Sequence, residues 1–362
     1  MLVLLRLAAA MVLMCLAGGC ASAPKKQAPV FFPAPPETPR LQFLTHYSEA
    51  LDVEPAPSRF FYYLTGAEPD RKLIVKPYGL AFHDSKLLVC DTILNAIEIL
   101  DFKARRFDYF TSQGSGKLGK PVNLAVDADG TRFVADVLRD EVLVYSGEGN
   151  YAGVVGERGS MEPLDVAVTS NRIYVVDMKG RRVQVFEKET RKLLFAIPRE
   201  PKDQSEDLLG PTNLALDPKG RLYVSDSKAF RIQLYDADGR YLRTLGRHGD
   251  LPGEFARPKG VATDREGRVY SVDAAAQLVQ IFDDEGRLLL FFGEPGGSPA
   301  SLILPAKVIV DYDHVDLFRQ YAAPDFELEY LVLVSSQYGN RKIMVYGFGH
   351  KKEIAGNSAG RP

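Results

Sequence analysis

Pro211-Thr212-Asn213-Leu214-Ala215-Leu216-Asp217-Pro218-Lys219-Gly220-Arg221-Leu222-Tyr223-Val224-Ser225-Asp226 is followed by Arg231-Ile232-Gln233-Leu234-Tyr235 and by Tyr241-Leu242-Arg243-Thr244-Leu245-Gly246. These are four short apolar runs, rich in β-branched and aromatic residues and separated by turn signals. Asp217-Pro218-Lys219-Gly220 and Asp236-Ala237-Asp238-Gly239 each start a tight turn on Asp and supply Gly where φ is positive. The pattern predicts a four-stranded antiparallel meander. Such a unit has nothing of its own to cover its apolar faces, so it needs neighbours.

The neighbours are copies of itself. The opening run recurs from Pro77, Pro121, Pro163, Pro258 and, more weakly, Pro305; with Pro211 included, the offsets are 44, 42, 48, 47 and 47 residues. The second run ends in Asp91, Asp136, Asp177, Asp226 and Asp273, and the third run starts six residues later at Ile97, Val142, Val183, Ile232 and Val279. A period in the forties with four strands per unit predicts an all-β, six-bladed β-propeller. The recurring Pro-x-(Gly/Asn/Asp)-(Leu/Val)-Ala, Val-x-Asp and Arg-Ile-Gln-Leu-Tyr elements resemble the NHL repeat, a family of six-bladed propellers, over about residues 76–347. The sixth unit departs from it. Gln337 stands where Asp recurs, and Asp313 to Glu327 is an insertion carrying Phe318, Tyr321 and Phe326. That insertion is too long for a turn and is expected to fold onto a surface. The sixth unit also lacks a fourth strand. Leu41-Gln42-Phe43-Leu44-Thr45 is expected to supply it and to close the ring, which removes open sheet edges.

The 362 residues are 46% hydrophobic and 25% charged with net charge −2, an ordinary globular balance with no basic excess, so nucleic acid is not an expected partner. Met1 to Gly19 carries one charge, Arg6, ahead of an apolar run, and predicts a signal peptide. Leu16-Ala17-Gly18-Gly19-Cys20 resembles the bacterial lipobox, which implies a lipidated Cys20 and membrane attachment through that lipid. An ordinary signal peptide cleaved near Ala23 is the other reading. Ala21 after Cys20 resembles an outer-membrane sorting signal, implying a periplasmic or cell-surface position. Residues 20–39 are expected to be a Pro-rich tether, 40–349 the propeller and 350–362 a disordered tail. Ser58 to Leu64 is aromatic and expected to pack on the propeller. Cys90 lies inside a strand run, and no Cys-x-x-Cys-His is present for c-type haem.

Two sets of recurring side chains invite a chemical reading. Asp91, Asp136, Asp177, Asp226 and Asp273 end their strands, where a carboxylate can accept N–H groups of the next turn, and are read as structural. The residues two after each opening proline are Gly79, Asn123, Asp165, Asn213, Gly260 and Lys307. They are expected to ring one mouth of the channel, where Asn123, Asp165, Asn213 and Lys307 are the ligand candidates. Asn and Asp oxygens are hard ligands suited to Ca²⁺, and propeller lactonases of related architecture hold calcium in a similar way, but Lys307 would repel a cation. The ring is otherwise expected to line a hydrated polar channel, with no cofactor. The five histidines show no metal-ligand spacing; His314 lies between Asp313 and Asp316, two carboxylates able to raise its pKa.

Two functions follow. The first is a non-enzymatic, lipid-anchored scaffold that offers a propeller rim to a protein or glycan partner in the envelope. Tyr338-Gly339-Asn340-Arg341-Lys342 before Met344-Val345-Tyr346 resembles NHL lipoproteins of bacteria rich in multihaem cytochromes, which implies a place beside envelope electron-transfer complexes. The second is a hydrolase or lyase with a divalent ion at the channel mouth.

Overall fold

The structure is a computed structural model that describes residues 28–55 and 71–352. The segment expected to be a signal peptide, Cys20, the Ser58–Leu64 run and the chain beyond residue 352 lie outside the described residues. Six antiparallel sheets form the molecule, and we number them as blades 1 to 6 from Pro77, Pro121, Pro163, Pro211, Pro258 and Pro305. Blade 4 shows the pattern in its simplest form: Pro211–Leu216, Leu222–Asp226, Arg231–Tyr235 and Tyr241–Leu245 pair in sequence order. Its first turn forms because Asp217 Oδ1 accepts from Lys219 N (2.9 Å) and Arg221 N (2.8 Å) while Gly220 takes φ 77°.

First strands of successive blades lie against one another, and that of blade 6 (Pro305–Asp311) meets that of blade 1 (Pro77–His83), so the ring is closed. Each blade is covered on both faces. Its strands therefore read as near-continuous apolar runs, and the core sits between blades. Between blades 3 and 4 it comprises Tyr174, Val176, Val183 and Val185 against Leu214, Leu222, Val224 and Tyr235.

Leu41–Tyr47 pairs antiparallel with Ile343–Lys351 as the outer strand of blade 6, as the sequence predicts. One feature was not anticipated: Phe31–Phe32 pairs in turn with Leu41 and Gln42, so a fifth strand begins inside the segment expected to be a tether. Phe32 lies 6.0 Å from Phe292 and 6.3 Å from Tyr346 by ring centroid, which docks this arm on blades 5 and 6. The insertion folds onto the propeller as expected, through a helical turn (Val315–Phe318) and a 3₁₀ turn (Arg319–Tyr321). Phe318 is fully buried among Tyr47, Phe82 and Phe102 at the junction of blades 6 and 1.

Two rims result from this order of strands. The loops between second and third strands and the links between blades share the rim at which the first strands begin, here called the entrance rim. The remaining turns form the far rim.

Candidate functional site: the channel and its entrance rim

In every blade the pairing of first and second strands shifts register just after the opening proline, between Pro121 and Asn123 in blade 2 and between Pro305 and Val308 in blade 6. A bulge of this kind re-aims side chains. It falls at the positions predicted to ring the channel, and the structure brings those residues together. Asn123, Asp165 and Asn213 are fully buried and Lys307 nearly so. Lys307 Nζ, from blade 6, donates to Asp165 Oδ2 of blade 3 at 2.5 Å, which spans the axis. The same oxygen accepts from Asn213 Nδ2 and from Leu214 N, both at 3.1 Å, and Asp165 Oδ1 accepts from Val166 N at 2.9 Å. Asn123 Nδ2 donates to Leu164 O at 2.7 Å. The two glycines of the ring are set by space. A Cβ on Gly79 would stand 2.5 Å from Asn123 Cα, and one on Gly260 would stand 2.7 Å from Lys307 Cα.

At this level an ion pair between two members of the ring crosses the axis. The ring can be tested for a divalent ion by its chemistry. Asn123 Oδ1 and Asn213 Oδ1 are buried with no hydrogen-bond partner among the described residues, as a cation site requires. The single carboxylate, however, already serves an ammonium that reaches the axis, so ring and ammonium together carry no net charge to hold a second cation. As they stand, these residues fit Lys307 better than they fit Ca²⁺. Two amide oxygens beside one Lys and one Asp, in a ring of six positions, were the available sign of this pair; sequence reasoning recorded each residue and missed their union.

The strand-end aspartates lie elsewhere and do different work. Asp136 accepts from Gly119 N, Lys120 N, Leu138 N and Arg139 N at 2.7 to 3.2 Å, joining the incoming link to the next loop. Asp91 holds Val75, Lys76, Ile93 and Leu94 in the same way, and Asp273 holds Ala256, Arg257, Ala275 and Ala276. Asp226 takes Leu209 N and Gly210 N, while Asp177 takes Glu162 N, Gly180 N and the side chains of Arg182 and Gln184. Each braces a loop whose fourth residue after the Asp has positive φ without being glycine: Asn95, Asp140, Arg181, Phe230 and Gln277. In blade 6 the residue opposite the opening proline is Ser336, not Gln337, which corrects the alignment made from sequence by one position.

His314 lies on the far rim, stacked on Phe82 at 4.1 Å, and its Nδ1 pairs with Asp311 Oδ2 at 2.8 Å. Asp313 and Asp316, its neighbours in sequence, pair instead with Arg265 and Arg319. Among the described residues no three His, Cys, Asp or Glu side chains form a metal-binding group. A cavity of 480 Å³ lies away from the axis, between the N-terminal arm and the outer strand of blade 5.

The entrance rim differs from the far rim in kind. Leu138 (65% exposed), Leu251 (63%) and Ile93 (57%) stand on it with Leu94, Leu209, Ile303 and Tyr338. On the loops of the far rim, Tyr321 is the one comparable side chain among the described residues.

No protein-family model matches the sequence, and no curated protein is similar to it. Solved structures do match. A structural-genomics protein of unknown function from Bacteroides thetaiotaomicron aligns with TM-score 0.58 at 15% identity, over 85% of this chain and 75% of that one. A gluconolactonase from Xanthomonas campestris aligns with TM-score 0.56 at 17% identity, over 91% and 100%. A catalytically inactive virginiamycin B lyase from Staphylococcus aureus, with quinupristin, aligns with TM-score 0.53 at 13% identity, over 78% and 86%. This chain is a β-propeller of the same general build. At such identities the likeness concerns the fold alone.

Proposed function

We propose that the chain is a non-enzymatic binding module of the cell envelope, held by lipid on Cys20, that docks a protein on its entrance rim. The observation that carries this is the exposure of Ile93, Leu138, Leu209, Leu251, Ile303 and Tyr338 on one rim, against mostly polar turns on the other, where Tyr321 is the one comparable loop side chain among the described residues. Exposed apolar side chains gathered on one face mark contact surfaces, and aliphatic ones suit a protein better than a glycan. The resemblance of the sixth unit to lipoproteins of cytochrome-rich bacteria favours a partner among envelope electron-transfer proteins. The reading as a divalent-ion hydrolase or lyase draws on lyase and lactonase neighbours of similar fold. It has to place its ion beside the ammonium of Lys307, and we do not prefer it.

The test is co-purification from detergent-solubilised membranes. Wild type and a control, Leu193→Glu on an outer strand, are expected to bring down the same stable partner. The double variant Leu138→Glu/Leu251→Glu is expected to lose it. Equal recovery in all three would contradict docking on this rim.

A further inference from the structure

The channel mouth lies at the centre of the entrance rim and carries more positive than negative charge. Residues flanking the six opening prolines include four cations, Lys76, Lys120, Arg257 and Lys259, against one carboxylate, Glu162. The acids closest in the fold are already committed. Asp91 and Asp273 are turned onto backbone N–H groups, including those of Lys76 and Arg257, and Asp165 below is paired with Lys307. Lys76, Arg257 and Lys259 have no carboxylate partner among the described residues. The side chains of Lys76 and Lys259 lie over aromatic rings instead. Lys259 Nζ, from blade 5, reaches past blade 6 to within 4.9 Å of the Tyr78 ring of blade 1, and Lys76 Nζ lies 5.3 Å from the Tyr338 ring.

Lys259 is half-buried. Burial, with the charges of Arg257 and Lys76 adding to it, holds its ammonium down to about 8. Burial and the nearby Asp165 carboxylate raise the Tyr78 hydroxyl. Keeping a cation half out of water beside two others is unfavourable unless an anion joins them. A planar guanidinium beside compact ammonium groups matches the two oxygens of a carboxylate, while the electron-rich face of Tyr78 holds the Lys259 ammonium.

We propose that the channel mouth is a carboxylate-binding site formed by Lys76, Arg257 and Lys259, with the Lys259 ammonium seated on the face of Tyr78. A free small acid and an acidic side chain of a docked protein share this chemistry. The site is a property of the chain by itself, so its failure and that of the docking rim are separable.

The test is an NMR titration of the full chain at constant ionic strength, reading the lysine side-chain signals. The probes are citrate, for a free acid, and N-acetyl-Glu-Glu amide, for side-chain acids, with inorganic phosphate for comparison. At least one carboxylate probe is expected to shift Lys259 and Lys76 saturably; which one does so identifies the source. Because the anion binds the protonated ammonium, affinity is expected to fall as pH rises through about 8. Lys259→Met should weaken binding about tenfold, Lys259→Arg should retain it, and Lys103→Ala on the far rim should leave it unchanged. No saturable shift with either carboxylate, tighter binding of phosphate, or undiminished binding by Lys259→Met would each overturn the assignment.

Discussion

Glu98 is a carboxyl group set where the fold asks for an amide. It lies at the middle of the third strand of blade 1, the position held by Gln184, Gln233 and Gln280 in blades 3, 4 and 5. It is fully buried, and neither carboxyl oxygen has a hydrogen-bond partner of ordinary geometry among the described residues, whereas Gln184 Nε2 donates to Asp177 Oδ2 at 2.9 Å. Burial and the neighbouring Asp91 carboxylate push its pKa well above the ordinary glutamate range. The folded state therefore keeps a proton that the unfolded chain releases. Glu98's contribution to stability is complete below the ordinary glutamate pKa and is lost as pH rises through the raised one. Glu98→Gln should remove that loss and stabilise the protein at pH 7 by about 1–3 kcal/mol. Urea unfolding of both proteins between pH 4 and 8 checks this: the difference should grow with pH, and a flat difference would refute it. The axial pair makes a second prediction at this scale. Lys307→Met leaves Asp165 buried without its cation and should cost about 3–5 kcal/mol, while adding Asp165→Asn should recover part of that. A double-mutant cycle in urea measures the coupling; simple additivity would mean that the pair does not interact.

At the scale of elements, the aspartate clamps and the closing strand hold the ring together. Asp136→Ala would leave four backbone N–H groups without their acceptor, so a loss of about 2–4 kcal/mol is expected by chemical denaturation. Deleting Leu41–Tyr47 would bare the edge of Ile343–Lys351 and expose the blade 6 core around Leu44 and Tyr47. That variant should aggregate on size-exclusion chromatography, since an open apolar edge is a template for pairing. The elements were legible in the sequence because turn chemistry and strand composition repeat at a fixed period, and the missing strand of blade 6 pointed to the one unassigned run. The Phe31–Phe32 strand was not legible: two aromatic residues among prolines have no period, and their partners lie on blades distant in sequence. The axial pair was half legible. The bulge period placed Asp165 and Lys307 in one ring, but no local pattern tells that a lysine 142 residues away crosses the axis.

For the whole molecule, the arrangement divides labour between axis and rim. The axis is crossed by its own ion pair, the far-rim turns are mostly polar, and the entrance rim gathers exposed aliphatic side chains and cations that have no carboxylate partner among the described residues. This asymmetry belongs to no single blade, so it appears only when the blades are assembled; each exposed leucine alone would be unremarkable on any surface. The most direct measurement is site-specific photocrosslinking in living cells. A photoreactive residue is placed singly at positions 138 and 251 on the entrance rim and at positions 103 and 189 on the far rim. Crosslinks to one discrete protein from the entrance-rim positions, with none from the far rim, are the predicted result. Crosslinks confined to the far rim, or none from either, would contradict the assignment of the entrance rim as the working surface.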